Sequence, residues 1–296
     1  MSLLTANLLC IALVVIDLAA RTWRIQWILW GTEHRISFID SLALNSVGDA
    51  AAAATPNRIG GEPARLGGMI LSGVPASAGL VAIAIETVVM WAVNIAVGIW
   101  LAVAYAPEWW ATAGPLLEHT FRHSWPWVVA LLIAGVGTWW LVRKYAPNLS
   151  HSMRRGTRRA GIYFRRMPMW PLVMGAVTTF VSVAARVALL PVLAQTLPDP
   201  PPLGPLCFVS YALIFSQLLL PTPSGGGVIE IGFLGGAVGD LGDNDRKLLV
   251  FWRFYATVVL VVLGVLLGVW RYGRKTVERI FRGRATPDVI PEEAET

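Results

Sequence analysis

The chain has 296 residues, 55% of them hydrophobic and 14% charged, with a mean hydropathy of +0.60 and a formal net charge of +6. Soluble domains carry about 25% charged residues, so this composition excludes an ordinary soluble domain and points to an integral membrane protein. The excess positive charge is not a nucleic-acid footprint, because the basic residues bunch beside apolar runs, where they set topology and can attract anionic lipid head groups.

The first apolar run, 3–20, lacks a basic leader and carries Asp17 where a cleavage region would lie, so it reads as a retained helix rather than a signal peptide. Asp17 then sits near a span end, at the membrane interface. Arg21, Arg24 and Arg35 follow, which places that end in the cytoplasm and the N-terminus outside. Run 76–104 is long enough to cross a bilayer at 1.5 Å per residue, as are 125–142, 168–197 and 248–270. The acidic segment with Glu108 and Glu118 reads as outside, as does 197-LPDPPP-202. Arg143 to Arg166, with eight basic residues and no acid, reads as inside, and so does the cluster from Arg271 to Arg284 after the last span. Trp109-Trp110, Trp125, Trp127 and Trp139-Trp140 fit interfacial aromatic belts. Cys10 and Cys207 lie in apolar runs as packing residues, without a C-x-x-C partner. The tail 285–296, rich in proline and acid, reads as disordered.

Two segments, 38–73 and 203–240, must return to the side on which they start. Each contains a break: 56-PNRIGGEPAR-65 in the first and 221-PTPSGGGVIE-230 in the second. Pro56, Pro221 and Pro223 each remove a backbone donor, while Gly60, Gly61, Gly225, Gly226 and Gly227 permit conformations other residues avoid. The expected fold is therefore an all-α, polytopic helical bundle. It has about five full spans and two oppositely inserted re-entrant hairpins, arranged like an inverted repeat, in a single domain over 1–284. Non-helical backbone at membrane depth survives only where protein or water satisfies it, and paired breaks point to a transport site.

Ionisable side chains in such segments cost at least roughly 2.5–3.5 kcal/mol for Asp, Lys or Arg on insertion scales and need partners or water. The candidates are Glu62, Arg65, Arg58, Glu86, Arg186, Glu230 and Arg253, with polar Asn45, Asn94 and Gln217. Glu62 and Arg65 share a face if 62–72 is helical. Glu86 and Arg186 form a possible buried pair with either a structural or a functional role. Arginine forks and broken-helix N-termini suit a phosphate.

These residues carry a resemblance. The segments 45-NSVGDAAAAATPNRIGGEPARLGG-68 and 215-FSQLLLPTPSGGGVIEIGF-233, with Trp23-Arg24 and Arg253, resemble the two signatures of the lysylphosphatidylglycerol synthase transmembrane (flippase-domain) family. The resemblance implies a helical membrane protein of the inner (cytoplasmic) membrane that moves lipids or lipid-linked precursors between leaflets. Its core would be Pro56, Gly60, Gly61, Glu62, Arg65, Pro221, Pro223, Gly225, Gly226, Gly227 and Glu230. Set against the family pattern, the expectation is of a chain without the extra N-terminal span that many members have and without a synthase domain after residue 296, and Thr87 follows Glu86 where arginine is common. Aminoacyl transfer is thus not expected.

The sequence-level expectation is a non-enzymatic lipid flippase or scramblase whose partners are membrane lipids, with anionic phospholipid or polyprenyl-phosphate-linked cargo and no cofactor, metal or nucleic acid. No G-x-x-x-x-G-K-[ST] loop supports direct ATP drive. The alternatives are a non-catalytic membrane partner of a lipid-modifying enzyme or glycosyltransferase, and an enzyme acting on a lipid phosphate. His34, His119, His123 and His151 fall in flanking loops, which weakens the last of these.

Overall fold

A computed structural model describes residues 1–105, 162–163, 167–217, 222–233 and 244–273. The expected span 125–142, the basic loop 143–166 apart from Ile162 and Tyr163, the tryptophans from 109 to 140, Pro221, the cluster beyond Gly273 and the tail 285–296 lie outside the described residues. The regular structure of the described residues is all helical and includes four helices long and apolar enough to cross a membrane: Leu3–Gly31, Ala76–Tyr105, Trp170–Ala194 and Arg246–Gly273.

Helix α1 (Leu3–Gly31) starts at Ser2, whose side chain accepts from the Thr5 amide at 3.2 Å. It does not stop at residue 20. Its buried stripe runs Ala6, Cys10, Val14, Asp17, Arg21, Arg24, Ile28, in three- and four-residue steps along one face. The reading of Asp17 as interfacial, and of Arg21 and Arg24 as loop charges, is therefore corrected. The helix continues through them because partners on other helices satisfy each charge. Two of the three charges used to orient α1 are thus internal.

Helices α2 (Phe38–Ala54) and α3 (Gly61–Leu71) pack against each other on either side of a short 3-10 turn, Pro56–Arg58. Helix α4 (Ala76–Tyr105) packs on α5 (Trp170–Ala194), and α5 lies along α1 in the most extensive helix contact among the described residues. Helix α6 (Leu203–Ser216) packs on α4 and α5, where Tyr211 donates to the Asn94 carbonyl at 2.6 Å. A second 3-10 turn, Pro223–Gly225, leads into the short α7 (Val228–Gly232).

The last span joins α8 (Asn244–Arg253) to α9 (Val259–Gly268) through a π-helical turn at Phe254–Val258. Helix α9 crosses α2 so closely that a Cβ at Gly264 would collide with the Ser46 carbonyl and Ala50. Small residues permit this kind of approach, which drives helix association where lipid removes the hydrophobic driving force.

Two apolar clusters form the core. One gathers Cys10, Val14, Leu190, Leu206, Phe233 and Trp252, and the other Ile25, Ile28, Leu44, Met69, Ala82 and Ile85. On α1, Arg21 and Arg24 lie between Leu18, which feeds the first cluster, and Ile25, which feeds the second, and Asp17 sits one turn before Arg21, so a polar layer separates them. The outer faces remain apolar, as at Leu4, Leu8, Val88, Ile95, Val262 and Leu266, which suits contact with lipid.

Candidate functional site

The polar layer encloses a cavity of about 190 Å³. Its charged lining is Asp17, Arg21, Arg24, Asp49, Arg58, Glu62, Arg65 and Arg186, and its apolar lining includes Leu13, Val14, Leu189, Ile214, Phe215 and Leu260. One cavity is thus lined by charged side chains together with aliphatic and aromatic ones.

Two ion-pair systems build the charged lining. In the first, Asp17 accepts from Arg21 at 2.8 Å, from the Arg186 Nε at 3.0 Å and from the Ser182 hydroxyl at 2.5 Å. Arg21 also donates to Asp49 on α2 at 2.5 Å. Asp49 lies 3.9 Å from Arg58, and Arg58 donates to Gln217 at 3.0 Å. In the second system Glu86, 2% exposed, accepts from the Arg24 Nε at 2.7 Å and from Arg65. Arg65 reaches back to Glu62 at 3.2 Å, and Arg24 also donates to Thr179 at 3.2 Å. The Arg65 stem fills the space that a Cβ at Gly48 would need, which locks α3 onto α2.

Several expectations are settled by this geometry. Glu62 and Arg65 do share a face of α3 and pair. The expected Glu86–Arg186 pair does not form, because Glu86 takes Arg24 and Arg65 while Arg186 takes Asp17. Asn45 is buried and donates to the Arg21 carbonyl at 3.2 Å, a fixed structural contact at the cavity wall. Glu230 and Arg253 do not join the others. They pair at 2.6 Å outside the cavity lining, and Glu230 also accepts from the Gly227 amide at 2.7 Å. The two break carboxylates are therefore not brought into one cavity. Glu230 caps the first turn of its own helix, where a carboxylate is favourable.

Over four residues, 55–58 and 222–225, the two turns follow a like backbone course, and they diverge after it, at Ile59 (ψ −23°) and Gly226 (ψ 139°). Thr55 (φ −114°, ψ 145°) and Thr222 (φ −100°, ψ 147°) precede Pro56 and Pro223. Left-handed Asn57 (φ 51°, ψ 17°) and Ser224 (φ 51°, ψ 21°) come next, followed by Arg58 (φ 59°) and Gly225 (φ 66°). The hydrogen bonds correspond too. The Arg58 and Ile59 amides donate to Thr55 and Pro56, and those of Gly225 and Gly226 to Thr222 and Pro223. The turns touch, with the Ser224 hydroxyl donating to the Ala53 carbonyl at 3.2 Å and Arg253 donating to the Ser224 carbonyl at 3.0 Å.

Residues 1–239 match the family described as Lysylphosphatidylglycerol synthase TM region, which covers most of the chain. The chain belongs to this family. No curated protein and no solved structure matches it. In this member of the lysylphosphatidylglycerol synthase TM family, both turns and every charged residue of the cavity fall within the matched region, whereas Arg253 lies beyond it. With its four apolar spans, it is a multi-pass membrane protein.

Asp17, Arg21, Arg24 and Asp49 were not among the sequence candidates for the site. The signal for the first three was the stripe 10, 14, 17, 21, 24, 28, whose helical spacing runs through the charges without a break. The signal for the matched turns was the dipeptide Thr-Pro at 55–56 and again at 222–223.

Proposed function

We propose that this chain moves a phosphate-bearing lipid or lipid-linked precursor between the leaflets of the inner membrane, without chemical change to the cargo. The head group would enter the cavity while its acyl or prenyl chains stay in lipid. The observation that carries the reading is the cavity itself, which is lined both by arginines and by apolar side chains and reaches Arg58 of the first of two matched, touching helix breaks. In this reading α2–α3 and α6–α7 are re-entrant hairpins inserted from opposite faces. The like backbone course of the Thr-Pro turns supports that, since paired broken helices bound a cargo site in many transporters. The N-terminus would then lie outside and the C-terminus in the cytoplasm. Glu230 and Arg253 hold the second turn, and Glu62 faces the cargo path.

The test is head-group movement in vesicles containing purified protein, across phospholipids and a polyprenyl-phosphate sugar. Wild type should accelerate exchange of at least one lipid, Glu62→Gln should abolish it, and Glu230→Gln should reduce it less. No acceleration of any lipid by folded protein would overturn the transport reading and favour a non-catalytic partner of a membrane enzyme.

A further inference from the structure

The order of elements recurs along the chain. α1, the first turn, α3 and α4 start at residues 3, 56, 61 and 76, and α5, the second turn, α7 and α8 start 167 or 168 residues later, at 170, 223, 228 and 244. The contact of α4 on α6 is therefore the counterpart of the contact of the last span on α2. The two are closed by different means. On the last span, Gly264 lies against the Ser46 carbonyl and Gly268 against Val47, so at these points no side chain of α9 stands between the helices. Between α4 and α6 a ring fills the gap: Tyr211 lies over Gly98, where a Cβ would come 2.8 Å from its hydroxyl oxygen.

Tyr211 donates its hydroxyl to the Asn94 carbonyl at 2.6 Å, and its ring packs on Phe215 with centroids 4.5 Å apart. That bond needs Gly98, one turn beyond Asn94 on the same helix, because a side chain there would stand where the ring reaches the carbonyl. Seven residues further along α4 and seven back along α6 the arrangement is reversed, with the Tyr105 ring over Gly204. The two helices thus run antiparallel, each setting a tyrosine into a glycine of the other.

This seam borders the cavity. Met90, one turn before Asn94 on α4, lines it, as do Ile214 and Phe215 of α6, next to Tyr211. On its outer side α4 exposes Trp91, Ile95 and Ile99, which suits lipid. The Asn94 carbonyl lies inside α4 and has two lone pairs, so it keeps its helical partner when Tyr211 leaves, and the ring can swing away without stranding backbone. The α9–α2 contact has no such part to move.

We propose that the α4–α6 seam is the lateral gate of the cavity, barred by Tyr211, and that the α9–α2 seam stays shut. Such a gate supplies the transport reading with a way in from lipid, yet its opening involves two helices and no cargo.

Pulsed electron paramagnetic resonance tests it on the full chain in nanodiscs of phosphatidylglycerol and phosphatidylethanolamine, with Cys10→Ala and Cys207→Ala removing the native thiols. One pair of spin labels, on Ile95→Cys and Ala212→Cys, spans α4 and α6, and a control pair, on Ile39→Cys and Val265→Cys, spans α2 and α9; all four positions are exposed. Tyr211→Phe should raise the ratio of open to closed α4–α6 separations roughly five-fold, the worth of one hydrogen bond. Tyr211→Ala, which also removes the ring, should raise it further, and Gly98→Ala should open the seam by displacing the ring from the other helix. The control pair should keep its distance in every variant. An α4–α6 separation unchanged in folded Tyr211→Ala and Gly98→Ala protein, or an α9–α2 pair that widens as much, would overturn the proposal. A seam that opens while vesicles show no lipid exchange upholds the gate and counts against the transport reading alone.

Discussion

The two Thr-Pro turns follow a like backbone course over four residues and have opposite chemistry. In the second, glycine occupies the left-handed position after Ser224, and the nearby carboxylate, Glu230, caps its own helix and pairs with Arg253 away from the cavity. In the first, arginine occupies that position, and both Arg58 and Glu62 line the cavity. A non-glycine residue in the left-handed region costs on the order of 1–2 kcal/mol. The difference teaches that the first turn retains strain where its side chain reaches the cavity, while the second relaxes to glycine and serves as the surface against which the first is held.

That contrast can be broken at several points. The largest effect is expected behind the first turn: Glu86→Gln removes the carboxylate that Arg24 and Arg65 share, leaving buried positive charge, and should cost about 3–5 kcal/mol, read as a lower melting midpoint in detergent. Next, Gly264→Val pushes α9 off α2, which carries the first turn, and should cost about 1–3 kcal/mol by the same measurement. A melting midpoint within error of wild type would show that the two helices separate without consequence. Exchanging the turns' chemistry sharpens the contrast. Arg58→Gly should leave stability unchanged or raise it by about 1 kcal/mol, whereas Gly225→Ala should lower it by a similar amount because of its φ of 66°. Smallest is Glu230→Gln, whose side chain is 35% exposed; losing its pair with Arg253 should cost no more than about 1 kcal/mol.

Much of this arrangement was legible in the sequence. The apolar runs 76–104 and 168–197 lie close to the bounds of α4 and α5, the breaks fall at their prolines and glycines, and the three-residue spacing of Glu62 and Arg65 gave a true pair. Helix α1 was cut short because a charge in an apolar run ordinarily marks the membrane boundary, and only partners 28 to 169 residues away along the chain reverse that inference for Asp17, Arg21 and Arg24. The choice of Arg24 over Arg186 as the partner of Glu86 is likewise set by which helices adjoin, a fact that hydropathy does not encode. The separation of Glu230 from Glu62 was hidden for the same reason: matching turns can touch while the carboxylates that follow them point to different neighbours.

One pair within α1 has a consequence for biosynthesis. Asp17 and Arg21 lie one turn apart on the same helix and bond at 2.8 Å, so they neutralise each other without help from any other segment. Chains emerge from the ribosome N-terminus first, and α1 reaches the membrane before α2, α4 or α5 exists to receive its charges. With Asp17 present, the helix presents Arg24 as its one uncompensated charge in the polar stretch from 17 to 24. The aspartate that later anchors Arg186 thus begins as the chaperone of its own helix, carrying Arg21 into lipid under cover until the rest of the bundle arrives.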